Sequence, residues 1–159
     1  MTKNVPNHEL DDIDRKLIVA LQINGKMTVG ELADRVGLSP SPCARRIRLL
    51  EQSKVIKGYA AIVDQKMVGL PISAFASVKL ERQREDALDR FCKAVERWPE
   101  VVDCYLMTGH HDYLLRIIVS DLEAYEAFLR DKLTRLDDVA SIETGFSLKQ
   151  IKRSEVFPI

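Results

Sequence analysis

Ser41, Arg45 and Arg48 recur at i, i+4 and i+7, so on a helix they share one face. The apolar triplet Cys43, Ile47 and Leu50 repeats the same spacing on the opposite face. Guanidinium groups on one face can pair bidentately with guanine. A helix start with Ser39 at its cap, Pro40 at N1 and Pro42 still in the first turn offers N–H groups and hydroxyls to phosphate. The chemistry is that of a helix laid in the major groove of double-stranded DNA. The plainer reading is a solvated charged face. Arg46 falls on the flank, open to either a phosphate contact or an internal ion pair, and Lys57 follows where it could reach the DNA backbone.

A second set lies in Thr108-Gly109-His110-His111-Asp112. Gly109 lets a backbone approach a small molecule closely, and the N–H groups of such a loop can cradle a carboxylate. Asp112 supplies a carboxylate for an ammonium group, a charge-assisted bond. The alternative is a hairpin turn in which Asp112 caps its own backbone. Hydrolase chemistry has no support, because neither a G-x-S-x-G elbow nor H-E-x-x-H occurs. Adjacent His110 and His111 would point to opposite sides of an extended chain and chelate one metal poorly. No catalytic residue, metal ligand or cofactor is therefore assigned. Cys43, Cys92 and Cys104 are odd in number, lack C-x-x-C spacing and sit in apolar patterns, so they read as small buried hydrophobes.

Charge is uneven although the 24 basic and 24 acidic residues cancel. Residues 1–60 hold 10 basic against 7 acidic, and residues 61–159 hold 14 against 17. Within residues 39–58 the ratio is five to one, a focused site for an anionic partner. No apolar run approaches the ~20 residues of a membrane span. The polar residues 1–10 lack the apolar core of a signal peptide, so a cytoplasmic protein is expected, with no membrane partner.

The elements that position these residues divide into two domains, residues 1–64 and 65–159. In the first, Asp11 caps a helix bearing Ile13, Leu17 and Leu21. The capping box of Thr28 and Glu31 opens a short second helix, which Gly37 ends, and Ser39 starts the third. Residues 55–63 read as a strand kinked at Gly58, the wing of a winged helix-turn-helix. In the second domain, strands over 72–80, 101–108, 113–119 and 139–151 alternate with helical stripes at 88–98 and 122–136. Two β-α-β units in tandem make a βαββαβ ferredoxin-like plait, so the fold class is α+β. Its strands are apolar on both faces, so the face without helices is expected to meet another subunit.

The chain resembles the Lrp/AsnC (feast/famine) family of prokaryotic transcription regulators. The resemblance rests on Leu10-Asp11-Asp12-Ile13-Asp14, Glu31-Leu32-Ala33, Val36-Gly37-Leu38-Ser39, Arg46-Ile47 and Leu50-Glu51. It continues through Val55-Ile56-Lys57-Gly58-Tyr59, Thr108-Gly109, Asp112-Tyr113 and Ile151-Lys152. It implies an ACT-like (RAM) second domain, homodimers assembling into tetramers or octamers, and a pseudo-palindromic operator on the nucleoid. It further implies an amino acid or related effector held at subunit contacts by Leu106, Thr108, Gly109, His110, His111, Asp112, Leu122, Gly145, Phe146 and Ser147. The alternative within the same resemblance is an architectural, DNA-compacting protein without an effector. Three positions depart from the family pattern: Lys54 stands where Gly is usual, Leu49 where a basic residue is common, and Asp137-Asp138 where Pro-Gly is usual.

Overall fold

Asp11 and Thr28 start the first two helices in the same way. In the computed structural model, which describes residues 9–82, 84–154 and 156–159, α1 spans Asp12–Ile23 and α2 spans Val29–Val36. Most of the polar leader, residues 1–8, lies outside the described residues. Asp11 accepts the Asp14 N–H at 2.8 Å, and Asp14 accepts the Asp11 N–H at 3.4 Å. Thr28 and Glu31 form the matching box, with the Glu31 carboxylate 2.7 Å from the Thr28 N–H. Each box satisfies N–H groups that a helix start leaves orphaned. Gly37 ends α2 at φ +71°, a left-handed turn that glycine makes at little cost. Helix α3, Pro40–Gln52, follows with Ser39 at its cap, although the Ser39 side chain makes no capping bond.

Leu17 and Ala20 of α1, Leu32 and Ala33 of α2 and Cys43 of α3 form the buried core of this unit, with Ile13 and Ile47 packed against it. Each large aliphatic side chain so enclosed contributes roughly 1.5–3 kcal/mol. Beyond α3, Lys54 takes φ +61°, its N–H donating to the Glu51 carbonyl and the Ile56 N–H to the Leu50 carbonyl. The departure from Gly at this position thus puts a β-carbon in the left-handed region. The expected wing strand is not formed: residues 55–63 belong to no strand among the described residues. A strand exists only through pairing, and the segment has no paired neighbour among the described residues.

The second half is the expected plait. Strands β1 (Ile72–Leu80), β2 (Val101–Leu106), β3 (Tyr113–Val119) and β4 (Val139–Phe146) pair antiparallel in the order β2-β3-β1-β4. Helices α4 (Glu85–Val95) and α5 (Leu122–Asp131) supply Phe91, Val95, Tyr125 and Phe128 to one core. Ala74, Ala76, Val78 and Leu80 of β1 and Tyr113, Leu115, Ile117 and Val119 of β3 supply the rest. The alternate residues form the other face, with Phe75 and Tyr105 exposed among Ser73, Ser77 and the Asp103–Arg116 ion pair.

Four boundaries differ from the sequence reading, the first being β2, which ends at Leu106 rather than at residue 108. β4 stops at Phe146 rather than running to residue 151, because β1 begins at Ile72 and the Ser147 N–H on the Ser73 carbonyl closes their ladder among the described residues. α4 stops at Val95, yet Trp98 still packs edge-on against Phe128. α5 is shorter than its stripe, with Leu133 carried into the core by a 3-10 turn at Leu133–Arg135. Cys43 is buried as expected, but Cys92 and Cys104 are exposed, on α4 and on the edge strand β2.

The chain forms two compact units. One is Met1–Ile62 with Lys152–Ile159, and the other is Val63–Ile151. The expected division at residue 64 differs by two residues there, and it assigned the tail to the plait rather than to the helix-turn-helix unit. Counted this way, the first unit holds 12 basic against 8 acidic residues and the second 12 against 16.

Candidate functional site

Helix α3 presents Ser41, Pro42, Arg45 and Arg48 to solvent, with Ser39 exposed at its cap. Cys43 and Leu50, from the opposite side, are buried. This is the arrangement expected from the i, i+4, i+7 spacing, because burying one face of a helix obliges the other to face out. Lys57 is exposed on the extended segment after the helix, and Leu49 is exposed where the family commonly has a basic residue.

Arg46 differs from its neighbours. Its Nη1 lies 2.7 Å from the Asp11 carboxylate and 2.8 Å from that of Asp14. Asp14 is 1% exposed, so Arg46 is held inward and ties the recognition helix to the start of α1. Of the two readings, the internal ion pair is the one present. The Asp14 N–H first, and Arg46 after it, hold the Asp11 carboxyl below its usual range, against the opposing loss of hydration. Tyr59 anchors the segment after α3: its hydroxyl donates to Glu51 at 3.0 Å. Burial first, then that bond, push the Tyr59 hydroxyl up to about 12.

In the plait, Leu106, Thr108, Gly109 and His110 are exposed at the β2–β3 end. Gly109 takes φ +115°, a conformation that other residues rarely adopt. The His110 and His111 rings meet edge to face at 5.0 Å, and His111 Nε2 is 3.4 Å from Glu143 Oε2. Among the described residues no group of three or more His, Cys, Asp and Glu side chains could hold a metal.

Asp112 does not present itself to a ligand. It is 6% exposed, and its carboxylate accepts the Leu80 N–H at 2.7 Å. Its own N–H donates to the Val78 carbonyl, and its carbonyl accepts the Met107 N–H. In this chain the carboxylate expected to meet an amino group forms a clasp that fixes the loop on the end of β1.

Leu122, Gly145, Phe146 and Ser147 lie elsewhere. Val119, just before α5, pairs with Ile72, and Ser147 bonds Ser73. These residues sit at the opposite end of β1 from Leu80 and the loop. Seven residue steps separate Ser73 from Leu80, roughly 23 Å at about 3.3 Å per residue. One chain therefore presents two half-sets, and does not bring them together. Phe146 is propped by Tyr125, ring against ring at 5.1 Å, and the Tyr125 hydroxyl sits 2.6 Å from Thr144 Oγ1. Tyr125, Thr144 and Glu143 were not singled out from the sequence. Tyr125 was hidden in an apolar stripe, and the pairing of Glu143 with His111 needs the sheet register.

Residues 10–51 match the AsnC-type helix-turn-helix domain and residues 73–157 match the Lrp/AsnC ligand binding domain. The chain is 42% identical to the Bkd operon transcriptional regulator of Pseudomonas aeruginosa, over 95% of this chain and 99% of that one. It is 36% identical to the leucine-responsive regulatory protein of Escherichia coli, over 96% and 93%. A Neisseria meningitidis transcriptional regulator solved as a complex with L-Met superposes with a TM-score of 0.89 at 39% identity, covering 94% and 97%. AsnC of E. coli gives 0.84 at 26% identity, covering 92% and 97%. These relatives are regulators of transcription, a non-enzymatic role. With family domains matched at both ends and relatives aligned over nearly its whole length, the chain belongs to the Lrp/AsnC family of DNA-binding transcription regulators.

Proposed function

We propose that this protein binds a pseudo-palindromic operator as a symmetric homodimer, which assembles further into tetramers or octamers, and that an amino acid controls its DNA binding or assembly. It acts in the cytoplasm, on the nucleoid. Ser39, Ser41, Pro42, Arg45, Arg48 and Lys57 meet the DNA; Arg46 holds the recognition helix in place. The ligand lies between subunits, touched by Leu106 and the loop Thr108 to His111 of one chain and by Leu122, Gly145, Phe146 and Ser147 of another.

The observation that carries this reading is the separation of the two half-sets along β1. A zwitterion a few ångströms across cannot reach both ends of one plait, so it meets both sets only where two chains adjoin. Leu106 and Leu122 are 69% and 60% exposed, and they offer apolar walls with no cover in their own chain. Such walls fit an apolar side chain, in keeping with the leucine and methionine named for the relatives. Backbone N–H groups around Gly109 fit the carboxylate.

The test is a melting-temperature screen of the common amino acids, repeated with Leu106→Asp and with Phe146→Asp. A leucine or methionine shift abolished by either substitution supports one site built from both half-sets. A shift that survives both places the ligand elsewhere, and no shift with any amino acid favours the architectural alternative.

A further inference from the structure

β4 carries Gly145 and Phe146, and its ladder ends at the Ser147 N–H. Only five residue steps later, at Lys152, the chain has joined the helix-turn-helix unit. There the Phe157 N–H donates to Gln22 Oε1 at 2.8 Å, between residues 135 apart in sequence. Gln22 stands in the last turn of α1. Its Nε2 is buried and has no hydrogen-bond partner among the described residues. A buried N–H without an acceptor is destabilising, and a leucine would fill similar volume without that cost. The amide is therefore best explained by its oxygen, which holds the tail.

We propose that the tail after β4, described over residues 147–154 and 156–157, is a strap that carries ligand occupancy at Gly145–Ser147 to the DNA-binding unit, with the Gln22–Phe157 bond as a fastening. The proposal rests on the ligand reading above. Its path is covalent and continuous. Displacement of the end of β4 acts on the tail, the tail acts on α1, and Arg46 links α1 to α3. The two states are a fastened and a released tail, and a ligand that favours one biases the other site by the same factor.

The test uses the full-length protein on a duplex selected by the wild type from a randomised library, with L-leucine or L-methionine as effector. Amino-acid binding is measured separately by calorimetry. Gln22→Leu removes the acceptor. Phe157→Pro removes the donor from an exposed position, and Phe157→Ala removes the ring but keeps the N–H. Wild type and Phe157→Ala are expected to change DNA affinity about 5-fold or more on adding the amino acid. Gln22→Leu and Phe157→Pro are expected to bind amino acid and DNA as the wild type does, with a change below about 2-fold. If both respond by the wild-type factor, the strap is overturned and the ligand reading stands. If Phe157→Ala loses the response as well, the bond is not the fastening. A wild type that binds neither amino acid overturns the ligand reading, and the strap falls with it.

Discussion

Arg46 and Asp14 meet at 2.8 Å between α3 and α1, and the Asp14 carboxylate is almost fully enclosed. The same nitrogen reaches Asp11, so one guanidinium joins the recognition helix to both members of the first capping box. Replacing it takes the guanidinium away from a carboxylate that solvent barely reaches.

Arg46→Met is accordingly expected to lower the stability of the first unit by about 1–2 kcal/mol. That is less than the 3–5 typical of fully buried pairs, because Arg46 itself is 30% exposed. Asp11 adds a pH dependence. Its carboxyl is lowered in the folded state, so its contribution is present above the ordinary value of 3.8 and is lost as pH falls through the folded value. Urea melts from pH 7 down to 3 should show this acid-side loss in wild type and a smaller one in the variant. Identical stabilities would show that the pair holds nothing.

Arg45→Ala and Arg48→Ala are each expected to cost ~1–3 kcal/mol in operator affinity and to relax base preference where they act. Lys57→Gln should weaken binding to all sequences alike and flatten its salt dependence. Gel-shift titration at several fixed salt concentrations separates the two patterns. An Arg48 variant with wild-type affinity would take that side chain out of the interface.

Lys54→Gly should stabilise the protein. A β-carbon in the left-handed region costs roughly 1–2 kcal/mol, partly offset by roughly 0.5–1 kcal/mol from the extra freedom of glycine when unfolded. A net gain on the order of 1 kcal/mol or less would raise Tm by a few degrees. A Tm at or below wild type contradicts strain at this position.

Asp112→Ala should cost about 1–3 kcal/mol, since the Leu80 N–H loses its buried acceptor. Asp112→Asn keeps an acceptor oxygen and should recover much of that loss. Were Asp112 a ligand contact instead, both variants would keep wild-type stability and lose only the amino-acid response.

The local signals in the sequence proved the most legible. The caps at Asp11 and Thr28, the turn at Gly37 and the apolar triplet of α3 each act within a few residues, and each appears in the fold where its type and spacing put it. The plait was readable for the same reason, since strand alternation and helical stripes are periodic. What the residues alone left open depends on long-range geometry. Whether Arg46 faced DNA or Asp14 depended on how α1 packs on α3, 32 residues apart in sequence. Asp112 could be read as a ligand contact or a local cap because Leu80, whose N–H it accepts, is equally distant. Residues 55–63 read as a kinked strand, but the local sequence cannot supply the neighbour that pairing requires. The tail gives no periodic signal at all, and its place with the first unit, where the Phe157 N–H meets Gln22, depends on contacts between residues far apart in sequence.

One chain here couples DNA binding to an amino acid. The most direct measurement is the affinity of the purified protein for its selected operator, with and without each common amino acid. It should be paired with a melting curve of the same sample. The account predicts that leucine or methionine changes operator affinity about 5-fold or more and, at ~100 times its Kd, adds about 2.7 kcal/mol of stability. Operator binding that no amino acid alters, in a protein whose melting no amino acid shifts, would contradict it.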